Sequence, residues 1–385
     1  MILFYTRNIS FAHLKKHFAF ASYGVKQFHN RISHNVLILH FLGDNLDGNQ
    51  KENGQQGILY FFQRNAEANF NIHLILWLPV EIVITIVPIF AVILVGLLAR
   101  QKGIMPQAFL QSANRLTYYA AIPAMMLRAI ARSDFNKQFD VNLLLGTIIP
   151  LVVVYIVAWI VTIIVKIDRR SRGTLIESTM HGNIGYIGFA VVFYFLGSDA
   201  LAQAGILGGF MMLVHNVLAV IVLQYYSGKP STPGGIGQTI KKVLGNPIIL
   251  TAMFGILLSV LKIPLPVIID RTLGIIGNLA LPLALLVIGA SLSLQMQTRH
   301  LLVMIMASCS KLILLPAVGY WLYLFFDLPR DVYLPGLILL ASPVATVVYI
   351  LASEMRGDPK LAVNVISIST ALSAITISLW LGITT

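Results

Sequence analysis

Apolar residues run through most of this chain in blocks too long and too unbroken for the alternating faces of soluble helices or strands. A helix rises 1.5 Å per residue, so about 20 apolar residues cross a bilayer. Ten stretches are predicted to be spans: roughly 76–99, 108–131, 142–166, 174–196, 201–226, 245–262, 268–293, 300–325, 331–353 and 361–383. Short polar or Gly/Pro-containing turns separate them. The one longer connection, SGKPSTPGGIGQTIKK at 227–242, has the composition of a flexible linker.

Two spans carry residues that unravel helices. Span four reads STMHGNIGYIGFAVVFYFLG (178–197), with His181, Asn183 and three glycines within seven positions, and span nine contains ASPVATVV (341–348). Asn183 and Ser342 are 159 positions apart. The same separation takes Gly96 to Gly255 and Pro123 to Pro282. Three landmarks in one register predict an internal repeat. With five spans in each copy, the second copy enters from the opposite side, as in many secondary transporters. Counted from Arg172 and Asp331, each break lies eleven residues in, or about 16 Å deep, near the middle of a roughly 30 Å core. Unwound backbone is tolerated there only inside protein or along a cavity. Half-helix starts carry free N–H groups suited to an anion. Close helix packing through Gly182, Gly185 and Gly188 is the competing reading.

Composition agrees with a membrane protein. Of the 385 residues, 57% are hydrophobic and 11% charged, against about 25% charged in soluble domains; the mean hydropathy is +0.82. A net charge of +12 could suggest nucleic acid, but no basic stretch is interleaved with stacking aromatics. Twelve basic residues fall in the loops after odd-numbered spans and five in the loops after even-numbered ones. The odd loops are therefore expected in the cytoplasm, with both ends of the bundle outside. The single cysteine, Cys309, allows neither an internal disulfide nor a thiolate cluster.

The expected fold is thus an all-α integral membrane protein: ten transmembrane helices in two inverted five-helix repeats, with broken, crossing fourth and ninth helices. The expected units are a first repeat over 75–226, the linker 227–242 and a second repeat over 243–385. Residues 1–73 fit poorly, with seven Lys or Arg and six His. They are expected to be a disordered tail, or to precede a natural start near Ile72–Trp77.

GNPIILTAMFGILLSVLKIPLP (245–266), LALPLALLVIGASLSL (279–294), GNIGYIGFAVVFYFLGSDALAQAGIL (182–207) and ASPVATVVYILASEM (341–355) resemble the auxin efflux carrier family over about residues 75–385. That family includes plant auxin exporters and bacterial malate or malonate permeases. The resemblance implies a scaffold from spans 1, 2, 6 and 7, and a moving domain from the rest that carries substrate by an elevator-like motion. The family pattern N-x-G-x-x-G-x-P departs here at Ala190, leaving the span-four break to glycine flexibility.

Substrate is expected at Asn183, Gly185, Ser342, Pro343, Ala345 and Thr346, with Lys311 as the nearby charge. An ionisable residue deep in a span is a functional candidate. Lys311 could draw a carboxylate, change protonation, bind helix-end carbonyls, or pair with Glu177 as a strut. His181, Glu177 and His215 are proton or gating candidates. Glu177, five residues past Arg172, is expected near the cytoplasmic mouth as a gate or a solvated interface residue. Arg115 and Arg128 are expected to snorkel. Asn364, Ser367 and Thr370 form a polar edge on span ten. The S-x-x-K match at 308–311 lies inside a span without its companion motifs and suggests no enzyme.

The predicted function is a secondary carrier for a small organic anion, an auxin-like monocarboxylate or a dicarboxylate, working by alternating access in a cell (inner) membrane. A sodium-coupled bile-acid-type symporter and a non-transporting membrane receptor are the alternatives. The organic anion and the lipid bilayer are the expected partners, with a homodimer as a possible assembly. No nucleic acid, cofactor or metal is expected.

Overall fold

A computed structural model describes residues 79–227, 245–293 and 301–384. All belong to one compact unit, Trp77–Thr385. The expected tail over 1–73 and nearly all of the linker 227–242 lie outside the described residues.

The described residues are helical, with no strands; their one β-bridge pairs Gly182 with Val344. In chain order the helices are α1 (Val80–Gln101), α2 (Gln107–Leu116), α3 (Ile122–Arg132), α4 (Phe135–Gln138), α5 (Val141–Ile164), α6 (Arg169–Met180), α7 (Phe189–Leu196) and α8 (Ser198–Ser227). The second half holds α9 (Pro247–Val260), α10 (Val267–Gly277), α11 (Ala280–Ser291), α12 (Leu301–Cys309), α13 (Leu315–Phe325), α14 (Arg330–Ala341), α15 (Val347–Glu354) and α16 (Pro359–Thr384). Wide π-turns, Thr117–Ala121 and Ser310–Leu314, join α2 to α3 and α12 to α13. A third, Ile184–Gly188, leads into α7.

Local chemistry sets several of these boundaries. Asp140 caps α5 by accepting from the Leu143 N–H at 2.8 Å. Asn246 caps α9 by accepting from the Ile248 N–H, and Pro247 fills the first helical position, where a missing N–H costs nothing. Asp358 starts α16 by accepting from Leu361, and Ser171 and Thr174 hydrogen-bond Asp358 in turn, pinning that corner to α6.

Among the described residues, six helical stretches are long and apolar enough to cross a membrane: 80–101, 141–164, 198–226, 267–291, 301–325 and 359–384. The other four expected spans fall short for separate reasons. Span two carries Gln107, Gln111, Asn114 and Arg115 in α2, spans four and nine are interrupted, and α9 has 14 residues. Exposed Ile84, Leu94, Ile156, Ile160, Trp321 and Ile375 cover the outside of the bundle with apolar surface, the face a bilayer accepts.

Two close helix pairs organise the interior. α1 packs along α11, and a methyl placed on Gly96 would collide with the Leu286 carbonyl. α9 packs along α3, and a methyl on Gly255 would lie 3.0 Å from Ile130 and 3.7 Å from Leu127. Backbones can approach this closely only where glycine leaves the space.

Candidate functional site

α6 stops at Met180 and α14 stops at Ala341, and the chain beyond each runs extended. These two ends meet. The Asn183 N–H donates to the Pro343 carbonyl at 2.7 Å, and the Ala345 N–H donates to the His181 carbonyl at 3.0 Å. Backbone groups that a broken helix would leave unpaired in a dry interior are thereby satisfied by the other break. Pro343 cannot donate to a helix and favours extended backbone at Ser342. In span four no proline stands at the break: Ala190 is buried inside α7, and the interruption rests on Gly182 and the π-turn.

The crossing is fixed from the side of α14. Lys311 Nζ donates to the Leu340 carbonyl at 2.6 Å, and Ser342 Oγ donates to the Leu339 carbonyl at 2.6 Å. The lysine satisfies a last-turn carbonyl and its charge offsets the negative helix end, while the Ser342 hydroxyl joins the Ser342 N–H on the Leu339 carbonyl. Ser369 Oγ accepts from the Val344 N–H at 3.1 Å. Lys311 is fully buried and its ammonium lies against Gly182. Among the described residues no ion pair joins it to Glu177, so the strut is made to a helix end.

Asn183 is the unfinished part. Its carbonyl accepts from the N–H groups of Ile187 and Gly188, starting the π-turn. Its side-chain Nδ2 is buried and has no hydrogen-bond partner. A buried amide donor without an acceptor is costly and marks a place where a ligand oxygen would be welcome. The first N–H groups of the π-turn and of α15, beside Gly185 and Thr346, are helix-start donors of the kind that suit an anion. Gly185 itself is not sterically required, because a methyl there would only touch Met212 at 3.6 Å.

A cavity of about 690 Å³ reaches this crossing at Tyr186 and Thr346. Its other polar lining comes from Arg100, Gln107, Gln111, Asn114, Ser291 and Ser293. Tyr186 Oη donates to Asn114 Oδ1, joining α2 to the π-turn. Of the expected substrate residues only Thr346 lines the cavity; Asn183, Ser342, Ala345 and Lys311 are sealed just behind it. The sequence reading missed Gln107, Gln111 and Asn114. Their spacing of four and three residues makes a polar stripe along α2, and it was the available signal.

A second cavity, of about 430 Å³, lies along α3, and its lining includes Arg128, Arg132, Tyr194, Asp199 and Asn278. Arg128 is half-buried and held by a carboxylate. Its Nε donates to Asp270 Oδ1 at 3.1 Å, and Arg132 donates to Asp270 Oδ2 at 2.6 Å.

Glu177 also departs from expectation. It is fully buried, with Oε1 3.4 Å from His181 Nδ1, and not at a solvated mouth. The reason is that α6 begins at Arg169 and is buried from Gly173 onward against α8, α5 and α16. The buried His181 and His215 rings stack at 4.7 Å. On α16, Asn364, Ser367 and Thr370 are buried, and Ser367 Oγ accepts from the Ser293 N–H.

The sequence matches the model of the family described as membrane transport protein over residues 81–229 and 235–381. The chain belongs to that family. It is the family of the auxin efflux carriers that the sequence motifs resemble. The chain is similar to a Rhizobium meliloti protein named "Putative malonate transporter", with 24% identity covering 77% of this chain and 94% of the relative. It is similar to an uncharacterized transporter of Methanocaldococcus jannaschii, with 25% identity over 79% and 98% of the two chains. An uncharacterized transporter of Methanothermobacter thermautotrophicus shares 23% over 77% and 96%. Family and relatives are transporters, and the apolar helices make this one a multi-pass membrane transporter.

Proposed function

We propose that the protein is a secondary carrier for a small organic anion, with a carboxylate held where the two broken helices cross. The observation that carries this reading is the buried Asn183 amide, which has no acceptor of its own beside the cavity. A carboxylate oxygen would accept from Nδ2 and from the free N–H groups that begin the π-turn and α15. Lys311 would act at short range through its charge, without leaving the Leu340 carbonyl. Gly185, Ser342, Pro343, Ala345 and Thr346 would shape the cradle. The malonate in one relative's name makes short dicarboxylates the first substrates to try, and auxin-like monocarboxylates the second.

Alternating access would follow from an inverted repeat of ten spans in a cell membrane. The close contact of Gly96 with Leu286 has a counterpart in that of Gly255 with Leu127, each residue displaced by 159 positions into the other half. Arg128, Ala129 and Arg132 line the second cavity, and their repeat-mates Val287, Ile288 and Ser291 line the first. Two related vestibules at opposite ends are what an elevator motion would open in turn. α1, α2–α3, α9 and α10–α11 would form the scaffold. Proteoliposome uptake of a panel of labelled mono- and dicarboxylates tests this. Time-dependent accumulation supports a carrier, and binding without accumulation would make the protein a receptor.

A further inference from the structure

Around the crossing, outside the lining of the large cavity, four ionisable side chains are buried in the interior: Glu177, His181, His215 and Lys311. Lys311 is accounted for by its bond to Leu340. The other three are not. Neither carboxylate oxygen of Glu177 has a hydrogen-bond partner, and neither does His181 Nδ1, although the two groups face each other at 3.4 Å. The His215 ring stacks on His181 at 29° between planes. The Met180 carbonyl lies close to His215, but no bond of ordinary geometry forms at either ring nitrogen.

A bare carboxylate with no donor, deep in protein, is strongly unfavourable, and so is a lone imidazolium. One proton shared between Glu177 and His181 removes both problems. It would close the gap between them with a charge-assisted hydrogen bond. We propose that Glu177, His181 and His215 form a proton-binding site that travels with the substrate, so that one proton accompanies each anion in the same direction. This rests on the carrier reading above and names its coupling ion.

The direction of coupling follows from charge. With Lys311 positive and Glu177 negative the cluster is neutral; one added proton makes it positive, two residues from Asn183. A positive cluster favours an anion at Asn183, and by linkage the anion raises the affinity for the proton by the same factor. Binding of the two is mutually favourable, which is the condition for movement together and not in exchange. All three side chains sit on α6, α8 and the chain just after α6, outside the proposed scaffold helices, so a bound proton would ride with the substrate.

Other titratable groups near α6 do not supply this function. Tyr155 on α5 and Tyr226 on α8 share an apolar cluster with Ile176 and Met180. Arg172 donates to the Ile167 carbonyl and lies over the Tyr226 ring. Glu354 on α15 and Lys360 on α16 are exposed.

The test uses the full chain in liposomes loaded with a pH-sensitive dye, at pH values where malonate is already a dianion. Labelled malonate should enter together with protons, one per anion, and its apparent affinity should fall about tenfold per pH unit on the alkaline side. That slope should flatten in Glu177→Gln and in His181→Asn. In the unmodified protein, infrared difference spectra on adding malonate should show a protonated-carboxyl band that Glu177→Gln lacks. Malonate uptake without proton movement, or an unchanged pH slope in both variants, would overturn the proton site and leave the carrier reading standing. No uptake of malonate or of any acid in the panel would overturn the carrier reading, and the proton site with it.

Discussion

Gly182 and Ser342 approach so closely at the crossing that a methyl group on Gly182 would lie 2.8 Å from Ser342 Oγ and 3.2 Å from the Lys311 ammonium. Ser342 and Lys311 are both tied to last-turn carbonyls of α14, so moving either side chain breaks a hydrogen bond. Gly182→Ala is therefore expected to push the two breaks apart, lowering the melting temperature and abolishing uptake. Gly185→Ala, three positions on, meets only the flexible end of Met212 at 3.6 Å and should keep its folded yield and melting temperature. Equal melting temperatures for the two variants would contradict the geometry.

Lys311→Met tests what the buried lysine does. Its loss leaves the Leu340 carbonyl without a donor in a buried site, a cost of about 1–3 kcal/mol. We expect a melting temperature lowered by several degrees, read by intrinsic tryptophan fluorescence in detergent, together with weaker anion binding. Unchanged stability with lost binding would mean that the ammonium contacts the substrate directly and that its bond to Leu340 is incidental.

Asp270 gathers the guanidiniums of Arg128 and Arg132 between α3 and α10. Asp270→Asn should lower thermal stability, because two neighbouring positive charges lose the group that holds them together. The difference from the unmodified protein should shrink as salt is raised, since these arginines are partly exposed. A salt-independent difference would point to packing and not to charge.

Much of this architecture was legible in the residues. The helix breaks at His181–Asn183 and Ser342–Pro343 could be placed because glycine, asparagine and proline interrupt otherwise apolar runs. The family could be named from the same stretches. What failed was depth and partnership. Counting inward from Arg172 put Glu177 at a mouth, but burial depends on how neighbouring helices wrap α6, which spacing along one helix does not report. The stacking of His181 on His215 and the pairing of Arg128 with Asp270, 142 positions away, are tertiary facts with no local signature. Gln107, Gln111 and Asn114 form a readable stripe on one helix, but that they face a cavity is again a tertiary fact.

The most direct test of a carboxylate bound at the crossing is the uptake rate of labelled malonate into proteoliposomes, comparing the unmodified protein with Asn183→Ala at equal reconstituted amounts. Removing Nδ2 takes away a donor to the substrate and relieves a buried group that has no acceptor within the protein. The folded yield and melting temperature should therefore hold or rise, while saturable uptake by the unmodified protein falls by at least about tenfold in the variant, the loss of one good hydrogen bond to a charged group. Uptake by Asn183→Ala at the unmodified rate would contradict the central claim.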